Sequence, residues 1–289
     1  MGGTVSDSGQ RIDVVQQQGA VLPTRTSYSQ MSLYNQCALK YYFGYVARWK
    51  EPTTQALAVG SITHEIVEYI YRLEPQERTI ERALDLMREH GTRLLSTPEY
   101  SAFASDNEVK QQIMVAVQNL FTVEDPTTVV VQPEHLEMEL DVEIGGVKFT
   151  GKVDRLTVDG GNRVTDYKTG RSPGKYVNDK LSQPFLYALA FREQFGMEVD
   201  EVELIYLHAK ETVRRDNDVA VMEAMGGKLV DMRAGAERDL ASSSWTATPQ
   251  RLCDWCAFQV ACPARNAAAP TPGSPESDAL LAQQNLLQR

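Results

Sequence analysis

No stretch of this sequence holds the roughly 18 to 20 uninterrupted apolar residues that a bilayer crossing needs. The first residues, MGGTVSDSGQRIDVVQQQG, also lack the apolar core of a signal peptide. The expectation is a cytoplasmic protein with no membrane span. Positive charge is scarce: 29 Lys and Arg against 39 Asp and Glu leave a net charge of −10. That balance argues against a protein that coats nucleic acid, because phosphate affinity comes from clustered cations that release counterions. It leaves room for an enzyme whose own carboxylates hold a cation, with a local basic track drawn from Lys40, Arg48, Lys50, Lys148, Lys152, Arg155, Arg171, Lys175 and Lys180. No P-loop is present, so any motor must come from a partner. Cysteine is rare too, with four in 289 residues.

What is present suits a globular domain, since 42% apolar and 24% charged residues suffice for a full hydrophobic core. Residues 1–24 and 266–289 are polar and without sustained periodicity, and read as a disordered and a mobile tail around one domain at 25–265. The final ALLAQQNLLQR admits a short amphipathic helix. Helical spacing runs from Ser27 to Trp49 and from Val59 to Leu73, and further helices are expected over about 77–95 and 106–121. Leu136, Met138, Leu140, Val142 and Ile144 then alternate with acidic residues, the period of a half-buried strand. Gly145-Gly146 is a hairpin turn into a second strand at 147–158, and Asp159-Gly160-Gly161 turns the chain into a third at 163–169. A helix over 182–195, stopped by Gly196, leads to a fourth strand at 202–208. This order predicts an α/β domain with a mixed central sheet flanked by helices.

Asp166 and Lys168 are two apart in a strand and share a face. Such a carboxylate can hold Mg²⁺ or Mn²⁺ through hard oxygen ligands, while the ammonium orients or deprotonates water and offsets phosphate charge. By itself the D-x-K pattern is common, and an exposed ion pair explains it equally well. Asp154 sharpens it. If Asp159-Gly160-Gly161 is a three-residue loop with Gly161 at positive φ, Asp154 falls directly opposite Asp166. Opposed like charges destabilise a hairpin unless a cation lies between them. Gly60, His64 and Glu68 share one face of the second helix, which puts His64 forward as a further ligand.

Cys37 stands alone, whereas Cys253, Cys256 and Cys262 form C-x₂-C-x₅-C. Four thiolates meet the ligand count of a [4Fe–4S] cluster or of a structural zinc site, and unrelated buried thiols are the bland alternative. The want of an export signal argues against disulfides. A shared metal group would tie the N-terminal helix to a C-terminal loop more than two hundred residues away. Trp255 and Phe258, between the ligands, either shield it or stack on bases.

In that order, GSITHEIVEYIYR, GKVDRLTV, VTDYKTG and QPFLY resemble the motifs of RecB-family exonucleases in the PD-(D/E)xK nuclease superfamily, over roughly residues 27–265. The resemblance implies His64, Asp154, Asp166 and the Tyr167 backbone carbonyl as Mg²⁺ or Mn²⁺ ligands and Lys168 as the catalytic lysine. Gln183 and Tyr187 match the family's Q-x-x-x-Y motif; one helical turn apart, they share a face toward a phosphate or water. The cysteine layout is similar to the iron–sulfur branch, which includes the CRISPR-associated adaptation nuclease and AddB-type nuclease modules, and this implies [4Fe–4S] over zinc. The function expected is a metal-dependent DNA exonuclease acting on single-stranded or frayed ends in repair, recombination or adaptation, with a helicase or recombination partner. Its rival is a catalytically silent DNA-binding or scaffold subunit of the same fold.

Overall fold

The computed structural model describes residues 9–158, 160–172, 174–284 and 286–288. The described residues group into two compact units, those within 1–52, 145–148 and 227–289 and those within 53–144 and 149–226.

A five-stranded sheet, all but Val147 and Lys148 of it in the second unit, has a spatial order that follows the sequence: Leu136–Ile144, Val147–Thr157, Arg163–Lys168, Glu201–Tyr206 and Glu211–Asp216. Gly145 and Gly146 take φ of +56° and +83°, the pair of positive values that a two-residue turn of matching twist demands. Arg163–Lys168 and Glu201–Tyr206 run parallel, because the helix Ser182–Phe195 carries the chain back across the sheet between them. The central strand Arg163–Lys168 is covered on both faces, with Val164, Thr165, Asp166 and Tyr167 all buried.

Helix Gln55–Arg72 begins at Thr54, whose side chain accepts the Leu57 N–H. It buries Ile62, Ile66 and Ile70 at four-residue spacing against Val109, Ile113, Val117 and Leu120 of helix Asn107–Val123. The helix expected over 77–95 starts later and in pieces: Ile80–Leu86, a π turn at Met87–Gly91, and Thr92–Leu95. Arg78 is the reason, since its buried guanidinium donates to the carbonyls of Tyr71, Leu73, Pro126 and Val129 and so fixes the connection before Thr79 caps the new helix.

In the first unit both expected tails carry structure. Gln10–Asp13 is a strand paired with Ser244–Ala247, because Ile12 is buried and Arg11 reaches the Ser244 carbonyl, Ser242 and Asp239. Pro275–Gln283 is a helix capped by Ser274 and held by buried Ser277 and Leu281, with Leu287–Gln288 paired to Trp49–Lys50. The strand lies outside the sequence pattern because its partner is more than two hundred residues away, while the helix overlaps the start of ALLAQQNLLQR, where a short helix is expected, and begins four residues earlier. Residues 1–8 of the expected N-terminal tail lie outside the described residues.

Candidate active site

Two turns set the register. Arg155, Leu156 and Thr157 pair with Thr165, Val164 and Arg163, and the same count puts Asp154 across from Asp166. Gly160 and Gly161 take φ of +72° and +129°, which side chains resist; Asp159 lies outside the described residues. Asp200 closes the loop, its Oδ2 accepting the Asn162 N–H at 2.7 Å.

His64 projects from helix Gln55–Arg72 with Nδ1 3.3 Å from Asp154 Oδ2, and that oxygen also accepts the Tyr167 N–H at 2.8 Å. Lys168 Nζ lies 2.7 Å from Asp166 Oδ2 and donates to Gln183 Oε1 at 3.0 Å. Gln183 Nε2 in turn donates to the Tyr187 hydroxyl at 3.0 Å. Gly151 leaves room for the Tyr187 ring, which a Cβ there would approach to 2.8 Å. Thus His64, Asp154, Asp166, Lys168, Gln183 and Tyr187 form one continuous group, and the Tyr167 backbone runs through it.

Charge in this group is unevenly held. Burial works against ionisation of Asp154, but the His64 imidazole and the Tyr167 N–H hold its carboxyl below the usual range. Asp166 goes the other way, pushed up to about 6 by burial and by Asp154. Burial also opposes a charged His64, yet Asp154 prevails and lifts the imidazole to about 9. Asp166 Oδ2 is buried and accepts no hydrogen bond of acceptable geometry, the Lys168 ammonium notwithstanding.

His64, Asp154 and Glu137 each offer a ligand atom within 4.8 Å of the others. Glu137 is one of the acidic residues that alternate with Leu136 and Met138, and it is tied to Lys152 at 2.8 Å. A signal for it existed: with a two-residue turn at Gly145-Gly146, Ile144 opposes Val147, and counting back sets Glu137 opposite Asp154. One imidazole and hard carboxylate oxygens, one of them buried and short of donors, fit Mg²⁺ or Mn²⁺. Of the basic track, Arg155 is excluded because it is 1% exposed. Lys40 pairs with Glu51 at 3.0 Å, while Arg48, Lys50, Lys148, Arg171 and Lys180 are exposed. The Lys175 side chain lies outside the described residues.

In the first unit, Cys37, Cys253, Cys256 and Cys262 are free thiols lining one cavity with Leu39, Phe43 and Phe258. Cys37 sits at the break between helices Tyr28–Gln36 and Ala38–Tyr41. Burial pushes the Cys256 and Cys262 thiols up. Phe258 is buried and stacks on Phe43 with centroids 5.0 Å apart, whereas Trp255 is 76% exposed. Phe258 therefore lines the thiol cavity, and Trp255 faces solvent.

A mixed sheet carrying opposed aspartates, a D-x-K strand and a histidine from a flanking helix is able to hold a divalent cation beside an ammonium. Comparison with known proteins agrees. The sequence profile of the PD-(D/E)XK nuclease superfamily matches residues 25–263. The gene 69 protein of Mycobacterium phage D29 is 23% identical over 278 residues, covering 84% of this chain and 97% of its own. A solved structure of a proposed exonuclease from Eubacterium rectale superposes with a TM-score of 0.54 at 12% identity, over 81% of this chain and 87% of that one. The chain belongs to the PD-(D/E)XK nuclease superfamily. Its five-stranded mixed sheet with flanking helices is that nuclease fold.

Proposed function

We propose that this nuclease is a RecB-like, metal-dependent DNA exonuclease acting on single-stranded or frayed ends. The observation that carries the reading is the approach of His64 to Asp154 and of Lys168 to Asp166, two opposed strand carboxylates, with the Tyr167 N–H on Asp154. His64, Asp154, Asp166 and the Tyr167 carbonyl would hold Mg²⁺ or Mn²⁺, with Glu137 within reach. The ion would supply Lewis acidity toward the phosphodiester and lower the pKa of water. Lys168, steadied by Gln183, presents an ammonium that can donate to a phosphate oxygen or exchange a proton with the attacking water. Tyr187 fixes Gln183 from behind.

The four cysteines would hold a [4Fe–4S] cluster in preference to zinc, as a staple joining the Cys37 bend to the 253–262 loop. What supports this is their arrangement around one cavity with apolar walls, in a chain whose cysteines are all unpaired. A cytoplasmic setting, where thiols stay reduced, suits that chemistry. The role falls in DNA repair, recombination or adaptation, with a helicase or recombination protein opening the duplex.

The test is digestion of 5′- and 3′-end-labelled single- and double-stranded DNA by anaerobically purified protein, with Mg²⁺ or Mn²⁺. Stepwise shortening of single strands is expected. Cutting confined to internal duplex sites contradicts the exonuclease reading.

A further inference from the structure

Asp154 and Asp166 have neighbours that point the other way. Arg155 follows Asp154 and Tyr167 follows Asp166, so both side chains lie on the reverse face of the same two strands. There they are 1% and 2% exposed. The Arg155 guanidinium donates to both Glu124 carboxylate oxygens, at 2.8 and 3.0 Å, in the bidentate geometry that only arginine supplies. It also lies against two rings, 4.7 Å from the Tyr71 centroid and 5.3 Å from that of Tyr167. The Tyr71 and Tyr167 hydroxyls both donate to Glu124 Oε1, the second at 3.2 Å. Glu203 completes the group, 3.6 Å from Arg155 and accepting from Thr165 and Arg214.

Stability alone is a poor reason for such a cluster, because apolar residues of similar volume serve as well or better in most interiors. Its placement supplies a better one. Any shift of Arg155 along its strand carries Asp154 with it. Any shift of the Tyr167 ring moves the peptide whose N–H holds Asp154 Oδ2 at 2.8 Å. The cluster therefore grips, from behind, the two backbone positions that set the spacing of the front carboxylates.

We infer that Arg155, Glu124 and Tyr167 form a positioning clamp that presets the divalent-cation site from the opposite face of the sheet. Their side chains touch neither metal nor substrate and act through Asp154, the Tyr167 peptide and the His64 ring, whose centroid lies 6.4 Å from that of Tyr167. The inference rests on the metal-site reading above. It goes beyond that reading in assigning control of cation affinity to side chains that point away from it. A strand pair held at both faces has less freedom to lose when a cation binds, so loosening the back should weaken binding at the front.

Calorimetric titration of Mn²⁺ into chelator-stripped protein tests this, with melting temperatures measured in parallel. Tyr167→Phe deletes one hydroxyl and leaves the ring and peptide in place, and Arg155→Lys keeps the charge but loses the two-pronged contact. Met222→Ala, in another buried part of the same unit, serves as a control for general destabilisation. Tyr167→Phe is expected to weaken Mn²⁺ binding about three- to tenfold and Arg155→Lys more, while Met222→Ala melts lower yet binds Mn²⁺ as wild type does. Should Arg155→Lys not fold, Tyr167→Phe decides alone. Tyr167→Phe with wild-type Mn²⁺ affinity, or Met222→Ala weakening binding as much as the clamp variants do, would overturn the clamp. Separately, wild-type protein that takes up no Mn²⁺, or an Asp166→Ala variant that binds it equally well, would remove the metal site itself, a failure distinct from the clamp's.

Discussion

The two candidate metal centres of this chain are built in opposite ways. In the sheet unit, the carboxylates sit on strands joined by a tight loop, hydrogen bonds at 2.8 to 3.0 Å already tie Asp154, Lys168, Gln183 and Tyr187 into place, and Lys168 lies 2.7 Å from Asp166. In the other unit, Cys37 and the other three thiols come from segments more than two hundred residues apart; Cys37 and Cys253 Sγ lie 4.0 Å from backbone carbonyls, and Cys253 Sγ accepts the Gln250 N–H at 3.3 Å. The first centre is organised by the fold and offers hard ligands. The second is a soft-ligand cavity whose walls, Phe43 and Phe258, pack against each other. A cation should therefore be an exchangeable participant in chemistry at the first and a structural tie at the second.

Substitutions sharpen the contrast most at the first centre. Asp166→Ala and Lys168→Ala should each reduce DNA cutting on the order of a thousandfold or more, about 4 kcal/mol of transition-state stabilisation, with circular dichroism and melting close to wild type. At the second centre the pattern should reverse. Cys256→Ser should lose bound iron, counted by metal analysis, and lower the melting temperature by several degrees before any effect on residual activity per folded molecule. One zinc and no iron in the wild-type protein would move that centre to the zinc class.

A smaller effect comes from the loop that sets the register. Gly161→Val should cost more than roughly 1 kcal/mol, because a β-branched residue resists φ of +129° and its Cβ would lie 3.0 Å from Asp200 Oδ2. Slippage by one residue would carry Asp154 to the other face, so activity should fall further than stability. Full activity in this variant would break the argument from register.

Proton linkage separates the centres further. In the metal-free site His64, lifted to about 9, is protonated at neutral pH, yet it must be neutral to bind a cation. Mn²⁺ affinity, read by calorimetry, should therefore rise about tenfold per pH unit up to about 9 and then level off. Below about 6 the slope should steepen, where Asp166 adds a second proton. Metal-free protein should show the opposite trend: the His64 pair contributes stability fully below 6.5, and that contribution is lost as pH rises through about 9. The smallest effect concerns Glu124. Burial works against its charge, but Arg155 holds the carboxyl below its ordinary 4.5, so its stabilisation is present above 4.5 and fades as pH falls through the lower folded value. The melting difference between wild type and Glu124→Gln should shrink over that acid range.

What could be read in the sequence follows the same division. The Asp154–Asp166 register was legible because both turn glycines and a period of two fix it locally. Glu137 was equally legible through the Gly145-Gly146 turn, but its place in an acidic alternation made it look like a solvent face. Arg155 looked like one more basic surface residue, since nothing local says that Tyr71, Glu124 and Tyr167 close over it. The strand Gln10–Asp13 was hidden in polar composition, its partner being distant in the chain, whereas the helix Pro275–Gln283 was legible in part through ALLAQQNLLQR. Local periodicity gave the sheet, while contacts of long sequence separation decided the rest.

The central claim is that His64, Asp154 and Asp166 hold a divalent cation without which the chain does not cut DNA. It is tested most directly by digesting end-labelled single-stranded DNA with chelator-treated protein, then adding back Mn²⁺, alongside the Asp166→Ala variant. No cutting in chelator, recovery with Mn²⁺ and silence of the variant are predicted. Cutting that persists in chelator, or an active Asp166→Ala protein, would contradict the account.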